Sequence, residues 1–126
     1  MAAPTDRRYT ESHEWHLLEG DTLTVGITQF AADQLNDVTF VDMKGAGDQV
    51  EAGGSVGEVE SVKTTSDIYS AVGGEIIEAN AALGDDPSLV NSDPYGAGWL
   101  VKLRVAGDAD LSGLMDAAAY DEAHGG

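Results

Sequence analysis

Three lysines occur in this chain of 126 residues, and Lys63 is the one whose surroundings suggest chemistry. The residues at 64–67 are turn formers, and segments rich in β-forming residues lie before and after them. We therefore predict that Lys63 lies at the exposed tip of a hairpin. An exposed lysine is protonated at neutral pH, and Glu60 and Asp67 favour that charged form, so a Schiff-base role is unfavourable. Such a lysine is suited to acylation by a modifying enzyme, which would attach a cofactor on a long flexible stem.

The elements upstream of Lys63 are predicted from periodicity and turn signals. Two β-type runs between residues 15 and 27 surround a turn at Gly20 and predict a hairpin. Thr28 is suited to cap a short helix that ends before Asn36. The β-rich run at 38–41 predicts that a strand follows this helix.

The second half of the chain continues with short strands. We predict β-structure on both sides of Lys63 within 55–80, turns at 85–87 and 91–94, and a further strand at 99–105. A C-terminal helix is predicted over 111–123, because Leu111, Leu114, Met115 and Ala118 fall on one helical face. Many short strands with little helix predict a compact β-sandwich.

Charge and composition exclude several classes of function. Six basic and 23 acidic residues give a net charge of −17, which makes nucleic acid and anionic membranes unfavourable partners. Cysteine is absent, so redox sulfur must come from a cofactor. The sequence contains no apolar run of the ~20 residues that a transmembrane helix needs, which predicts a soluble protein.

The chain is predicted to form a single domain over residues 1–126, with flexible termini at 1–8 and 124–126. The first eight residues lack the apolar core of a secretory signal, so we predict a cytoplasmic location. A strongly acidic surface further predicts a salt-rich cytoplasm, because salt screens the mutual repulsion of the carboxylates.

His13, Glu14 and His16 are a candidate metal site, because two imidazoles and a carboxylate lie within four residues. In a strand, however, residues at odd spacing point to opposite faces, so His13 and His16 would not converge on one ion. We predict that the protein has no metal site.

Four segments carry a resemblance to a known family. Residues 60–76, ESVKTTSDIYSAVGGEI, resemble the lipoylation hairpin of glycine cleavage H proteins, in which the lysine of ESVK is the attachment point. Three more segments resemble motifs of the same family in the same order: YTESHEW at 9–15, VGITQFA at 25–31 and LVNSDPYGAGWL at 89–100. The resemblance covers about residues 9–123, so it extends over nearly the whole chain.

This resemblance implies a mainly β fold, the barrel-sandwich hybrid of biotinyl and lipoyl domains, with a short helix in the N-terminal half and a C-terminal helix. It also implies lipoic acid in amide linkage to Lys63. The protein would be a non-catalytic carrier of glycine catabolism, because the cofactors of its partners perform the difficult chemistry. Its arm would visit three enzymes in turn.

The implied partners follow from that cycle. Glycine decarboxylase, the P protein, loads an aminomethyl group on the arm. The aminomethyltransferase, or T protein, removes the one-carbon unit and ammonia, and dihydrolipoamide dehydrogenase, the L protein, reoxidises the dithiol. A lipoate ligase or lipoyl transferase would attach the arm.

The family further implies that the loaded arm docks on the carrier itself, against Ser12, Glu14 and Asp67. Carboxylates and a hydroxyl are suited to bind the cationic aminomethyl group. Apolar side chains would line the rest of the cleft, namely Phe30, Ala31 and Leu35.

This chain departs from the family pattern at two positions. Asn36 stands where glycine is common, and asparagine also tolerates the left-handed region. Ala71 stands where proline is common, which is expected to loosen the turn after the hairpin.

A lipoyl domain of a 2-oxo acid dehydrogenase acyltransferase is disfavoured, because its hairpin normally shows DKA where this chain has VKT. Three further alternatives remain open at this point. The chain could act as a lipoyl donor for lipoylation of other enzymes, a role that the same fold would allow. A biotin carboxyl carrier is less favoured, because Val62 and Thr64 flank the lysine where methionines are usual. An unmodified acidic interaction protein is the third.

Overall fold

A computed structural model describes residues 7–105, 111 and 113–124 of the chain. The elements in this part of the chain are, in order, β1 (Arg8–Tyr9), β2 (Glu14–Glu19), β3 (Thr22–Ile27), α1 (Gln29–Leu35), β4 (Val38–Met43), β5 (Gln49–Val50), β6 (Ser55–Ser61), β7 (Thr65–Tyr69), β8 (Gly74–Ala79), α2 (Ala82–Asp85), α3 (Leu89–Ser92), β9 (Val101–Arg104) and α4 (Ala117–His124). None of these helices has the length and apolar character that a membrane span requires.

The strands form two sheets. The larger has the order β1-β2-β3-β9-β8-β5, and the smaller has the order β4-β6-β7, with antiparallel pairing throughout. One hydrophobic cluster draws buried side chains from both sheets, among them Val25, Val59 and Ile76. The predicted mainly β, two-sheet architecture with a short helix and a C-terminal helix is confirmed.

The β2–β3 hairpin forms as predicted. Gly20 adopts a φ of 66° in the turn, a conformation that glycine reaches without steric strain. Leu23, Val25 and Ile27 alternate along β3 and are buried. A side chain at Gly26 would collide with the ring of Trp15, because a Cβ there would lie 2.5 Å from two indole carbons.

Helix α1 is bounded by the predicted residues. The Thr28 hydroxyl accepts a hydrogen bond from the Ala31 amide at 3.2 Å and so caps the helix. Asn36 follows the last turn with the positive φ that was expected of it, 62°, although its ψ of −140° differs from that of a left-handed helical residue. The side chain of Asn91 then accepts the amide hydrogen of Val38 at 2.9 Å, which fixes the start of β4.

The C-terminal helix is shorter than predicted. It begins at Ala117, because the Asp116 carboxylate accepts the amide hydrogen of Ala119 at 2.8 Å and caps the helix there. Met115, which was assigned to the helix, instead forms an isolated β-bridge with Tyr9. The Leu114 amide donates to the Leu111 carbonyl at 2.9 Å, so the chain makes a turn before this bridge and does not start the helix.

Other predicted boundaries also differ. Two four-residue helices, α2 and α3, overlap the predicted turns at 85–87 and 91–94 at residues 85, 91 and 92, and the remaining positions of both regions lie outside the helices. His13 precedes β2 and has a φ of 72°, so the strand geometry used to separate it from His16 was wrong.

Two of the first eight residues lie in the described part of the chain. Arg8 belongs to β1, and the Arg7 guanidinium lies 4.6 Å from the Trp15 ring centroid. His124 is the last residue of α4. Residues 1–6 and 125–126 lie outside the described part of the chain.

Two buried side chains of β2 hold the end of β7. Glu14 and His16 lie on the same face of the strand, two residues apart, and both are buried. The Tyr69 amide donates to Glu14 Oε2 at 3.1 Å, and the Ala71 amide donates to His16 Nε2 at 3.0 Å. Ala71, expected to loosen this turn, is thus fixed by a hydrogen bond.

The contact with Ala71 requires His16 to be neutral, with its proton on Nδ1. Burial lowers the pKa of His16 to about 4, an effect that a backbone interaction with Glu14 partly offsets. The unfolded chain therefore binds a proton at His16 between about pH 6.5 and pH 4, whereas the folded protein does not.

We expect His16 to make folding pH-dependent. The neutral imidazole contributes to the free energy of unfolding, and this contribution is fully present above pH 6.5. It is lost as the pH falls to 4, which lowers the free energy of unfolding by about 3 kcal/mol. Chemical denaturation of the wild type and His16→Gln across this range measures it, because glutamine keeps an acceptor but does not titrate. The free energy of unfolding of the wild type should fall relative to that of the variant. Parallel pH profiles would contradict this assignment.

Candidate functional site

Lys63 lies in the turn between β6 and β7, and its side chain is exposed. The hydroxyl of Ser61 organises this turn. Ser61 Oγ accepts the amide hydrogens of Lys63 and Thr64, both at 3.1 Å, and donates to the Thr64 carbonyl at 3.1 Å. The backbone of Lys63 is therefore fixed while its amine extends into solvent, as predicted for a hairpin tip.

The tip of the hairpin is also tied to the rest of the fold. The amide of Val62 donates to the Asp37 carbonyl, just before β4, at 3.1 Å. The Val62 side chain is 67% exposed, the largest value among the exposed large hydrophobic residues in the described ranges. A partner that approaches Lys63 therefore meets an apolar side chain in a fixed position.

A cavity of about 290 Å³ lies between β7, α1 and the segment before β2. It is lined by Ser12, His13, Ile27, Phe30, Ala31, Gln34, Leu35, Ser66 and Ile68. Four of the six predicted docking residues are therefore brought together, namely Ser12, Phe30, Ala31 and Leu35. Ser66 and Ile68 connect the cavity to the strand that follows Lys63.

Glu14 lies behind the cavity wall rather than in it. Its carboxylate is 1% exposed and accepts hydrogen bonds from the hydroxyls of Thr10 and Ser12 through Oε1, while Oε2 accepts the amide hydrogen of Tyr69. A buried carboxylate with three donors is well satisfied. It also orients the Ser12 hydroxyl, which does line the cavity.

Asp67 faces away from the other predicted docking residues. It lies between Ser66 and Ile68 in β7, and successive side chains of a strand point to opposite faces. Asp67 instead lines a second cavity of about 240 Å³, together with Asp42, Lys44 and Glu58. The structure therefore does not place Asp67 in the same cavity as Ser12 and Phe30.

Three carboxylates form a row across the smaller sheet. Glu58, at the centre in β6, pairs directly with Asp42 of β4 on one side and with Asp67 of β7 on the other. Like charges directly opposite each other on neighbouring strands destabilise the pair. Part of the acidic surface inferred from the composition therefore lies on the smaller sheet, which includes both strands of the Lys63 hairpin.

Sequence reasoning missed several residues of the first cavity. Ser66 and Ile68 could have been found from the two-residue period of β7, which places them on the face opposite Asp67. His13 could not, because its contact with Tyr120 joins residues 107 positions apart. Among the described residues, no three His, Cys, Asp or Glu side chains are grouped so as to hold a metal ion.

A lysine exposed on a hairpin turn, beside a cavity with largely apolar walls, is the arrangement expected of a carrier protein rather than of an enzyme. Comparisons with known proteins agree. The profile described as Glycine cleavage H-protein matches residues 7–125. The chain belongs to this family, whose members are carrier components of the glycine cleavage system and not catalysts.

Individual relatives are similar over nearly their whole length. The glycine cleavage system H protein of Thermus thermophilus is 53% identical over 122 residues, which are 97% of this chain and 95% of the relative. That of Paraburkholderia xenovorans is 52% identical over 126 residues, 99% of each chain. The crystal structure of a glycine cleavage system H protein from Mycobacterium marinum superposes with a TM-score of 0.88 at 40% identity, covering 98% of this chain and 99% of the other.

The row of carboxylates should make stability depend on salt. We expect Glu58→Gln to raise the free energy of unfolding by about 0.5 kcal/mol in dilute buffer, because it removes the central charge of the row. The gain should shrink towards 1 M KCl, where the Debye length is about 3 Å.

Thermal melts of the wild type at several KCl concentrations, compared with Glu58→Gln and Glu19→Gln, measure this effect. Glu19 is an exposed acid at the end of β2, outside the row, and serves as the control for removal of one charge. A wild-type melting temperature that does not rise with salt, or an equal gain for Glu19→Gln, would contradict the expectation.

Proposed function

We propose that the chain carries lipoic acid in amide linkage to Lys63 and acts as the lipoyl carrier of the glycine cleavage system. The observation that carries this proposal is the Lys63 turn, whose backbone is fixed by Ser61 while its amine remains exposed. Membership of the H-protein family supports it. An amide at this position would hold the prosthetic group on a mobile stem above an ordered hairpin.

In this proposal the arm moves between three active sites. The P protein would load it with the aminomethyl group, the T protein would remove the one-carbon unit and ammonia, and the L protein would restore the disulfide. A lipoate ligase or lipoyl transferase would attach the arm. The advantage of a tethered group is its high effective concentration at each docked partner, which replaces a fresh diffusional encounter.

We further propose that the loaded arm rests in the cavity lined by Ser12, Phe30, Ala31 and Leu35. The apolar side chains would exclude water from the aminomethyl adduct, and the Ser12 hydroxyl would bind its amine. In this arrangement Glu14 acts indirectly, by orienting Ser12. Asp67, on the opposite face of β7, contributes negative potential rather than a contact.

A cytoplasmic location in a salt-rich cell belongs to the same proposal. It is supported by the net charge of −17 and by the carboxylates that face one another on the smaller sheet. Salt would stabilise the fold, yet weaken the docking of any basic partner surface.

We expect a single lipoyl adduct on Lys63 and none on Lys44 or Lys102. Intact mass and peptide mapping of protein from lipoate-replete cells measure it, with Lys63→Arg as the matched variant that keeps the charge. The variant should lack the adduct and fail to support glycine decarboxylation, while its stability changes by less than about 0.5 kcal/mol. A biotin adduct, or lipoate on another lysine, would overturn the assignment.

We expect Phe30→Ala to shorten the lifetime of the aminomethyl-loaded arm. Loss of about 1 kcal/mol of apolar contact corresponds to about fivefold faster decay. The measurement is formaldehyde release from the loaded protein after removal of glycine decarboxylase.

Phe40→Ala is the matched control, because Phe40 is 51% exposed on β4 and does not line this cavity. Its loaded arm should decay at the wild-type rate. Equal decay of both variants would place the docked arm elsewhere.

A further inference from the structure

Two polar side chains line the cavity proposed for the arm without a hydrogen-bond partner in the described part of the chain. Gln34 lies in α1 and Ser66 in β7, and neither side chain forms a hydrogen bond with another described residue. The other glutamine of α1 differs, because Gln29 donates to the Asp33 carboxylate at 3.0 Å and to the Asn91 carbonyl at 3.2 Å. Gln34 and Ser66 are therefore available to bind a ligand.

Both side chains lie at the end of the cavity that is closer to Lys63. Ser66 is three positions after the lysine and is the first residue of β7 that lines the cavity. The amide of Val62 donates to the Asp37 carbonyl at 3.1 Å, which connects the lysine turn to the chain just after α1. Gln34 lies in the last turn of that helix, so it is brought to the same end.

Ser12 marks the opposite end of the cavity. Its hydroxyl donates to Glu14, whose other carboxylate oxygen accepts the amide hydrogen of Tyr69 at the end of β7. A strand rises about 3.3 Å per residue, so Tyr69 lies about 10 Å beyond Ser66 along β7. Ile68 lines the cavity between them. The cavity thus has two polar ends that are separated by an apolar stretch.

An acylated lysine has its groups in a matching order. A four-carbon stem leads from the backbone of Lys63 to an amide, and the acyl chain continues from that amide as an apolar segment. An amide that leaves water without gaining a new partner is destabilising. Glutamine and serine side chains each contain a donor and an acceptor, so Gln34 and Ser66 can pair with the N–H and the C=O of this amide.

We propose that Gln34 and Ser66 bind the amide that links the acyl group to Lys63, and so fix the point at which the arm enters the cavity. This inference rests on the proposed lipoylation of Lys63. The amide is common to the oxidised, reduced and aminomethyl-loaded forms of the arm, so the contact does not depend on the load. The load is distinguished at the other end of the cavity, where Ser12 lies.

The first test follows the side-chain amide of Gln34 by ¹⁵N-correlated NMR before and after a purified ligase acylates Lys63. Octanoyl and lipoyl groups are the two probes, because octanoyl gives the same amide without sulfur. The Gln34 signal should shift with both groups. The signal of Gln49, which lies in β5 and does not line the cavity, should stay in place. A Gln34 signal that is unchanged by either group would overturn the proposal.

The second test measures the occupancy of the cavity from the methyl shift of Ile68 in the octanoylated protein. Gln34→Met keeps the side-chain length but removes its hydrogen bonds, and should lower the ratio of docked to free arm about fivefold. Ser66→Ala should lower it similarly, whereas Ser66→Thr keeps the hydroxyl and should retain the wild-type ratio. Gln49→Met is the matched control and should have no effect. A wild-type ratio in either Gln34→Met or Ser66→Ala would overturn the contact.

Failure of the proposed function gives a different result. If Lys63 accepts no acyl group, or if neither Ile68 nor Gln34 responds to the attached group, the arm does not use this cavity and both proposals are wrong. If Ile68 responds and Gln34 does not, the arm occupies the cavity and only the amide contact is wrong.

Discussion

Two side chains of β2 accept hydrogen bonds from backbone amides at the end of β7, and the geometry of the site depends on these contacts. Glu14 accepts the amide hydrogen of Tyr69, and His16 accepts that of Ala71. Acceptors two residues apart on one face of β2 therefore meet donors two residues apart at the end of β7. Neither acceptor belongs to a backbone ladder. The larger sheet therefore holds the smaller one through side chains, at the strand that follows Lys63.

This contact explains why a buried carboxylate is retained in so small a protein. An unpaired charge in the interior would be strongly destabilising, but Glu14 is fully satisfied by two hydroxyls and one amide. The same contacts orient Ser12 at the cavity and set the rotation of β7. Because β7 is fixed, Ser66 and Ile68 line the cavity that also contains Ser12, while Asp67 points to the opposite face, towards Glu58. An arm attached at Lys63, as proposed, would thus extend from an ordered hairpin.

Local signals in the sequence predicted the parts of this structure that depend on near neighbours. The Gly20 hairpin turn, the Thr28 cap and the Lys63 turn each follow from residues within a few positions of one another. The start of α4 was misplaced because Leu111 and Met115, although spaced as on one helical face, pack against two different hydrophobic clusters, and Met115 pairs with Tyr9. The contacts of Glu14, His16 and Tyr120 join residues 55 to 107 positions apart, and no local pattern encodes them.

Attachment of an arm at Lys63, as proposed, would also change the charge that the fold must tolerate. Lys63 is one of six basic residues, so its acylation would take the net charge from −17 to −18. The lysine beside the row of Asp42, Glu58 and Asp67 is Lys44, which lines the same cavity and would keep its charge. The hairpin nevertheless keeps its place, because hydrogen bonds from Ser61, Glu14 and His16 hold it, and none of these contacts involves the lysine amine. The groups that position the hairpin are thus separate from the amine that the proposed modification would neutralise, so the arm could be added without disturbing these contacts.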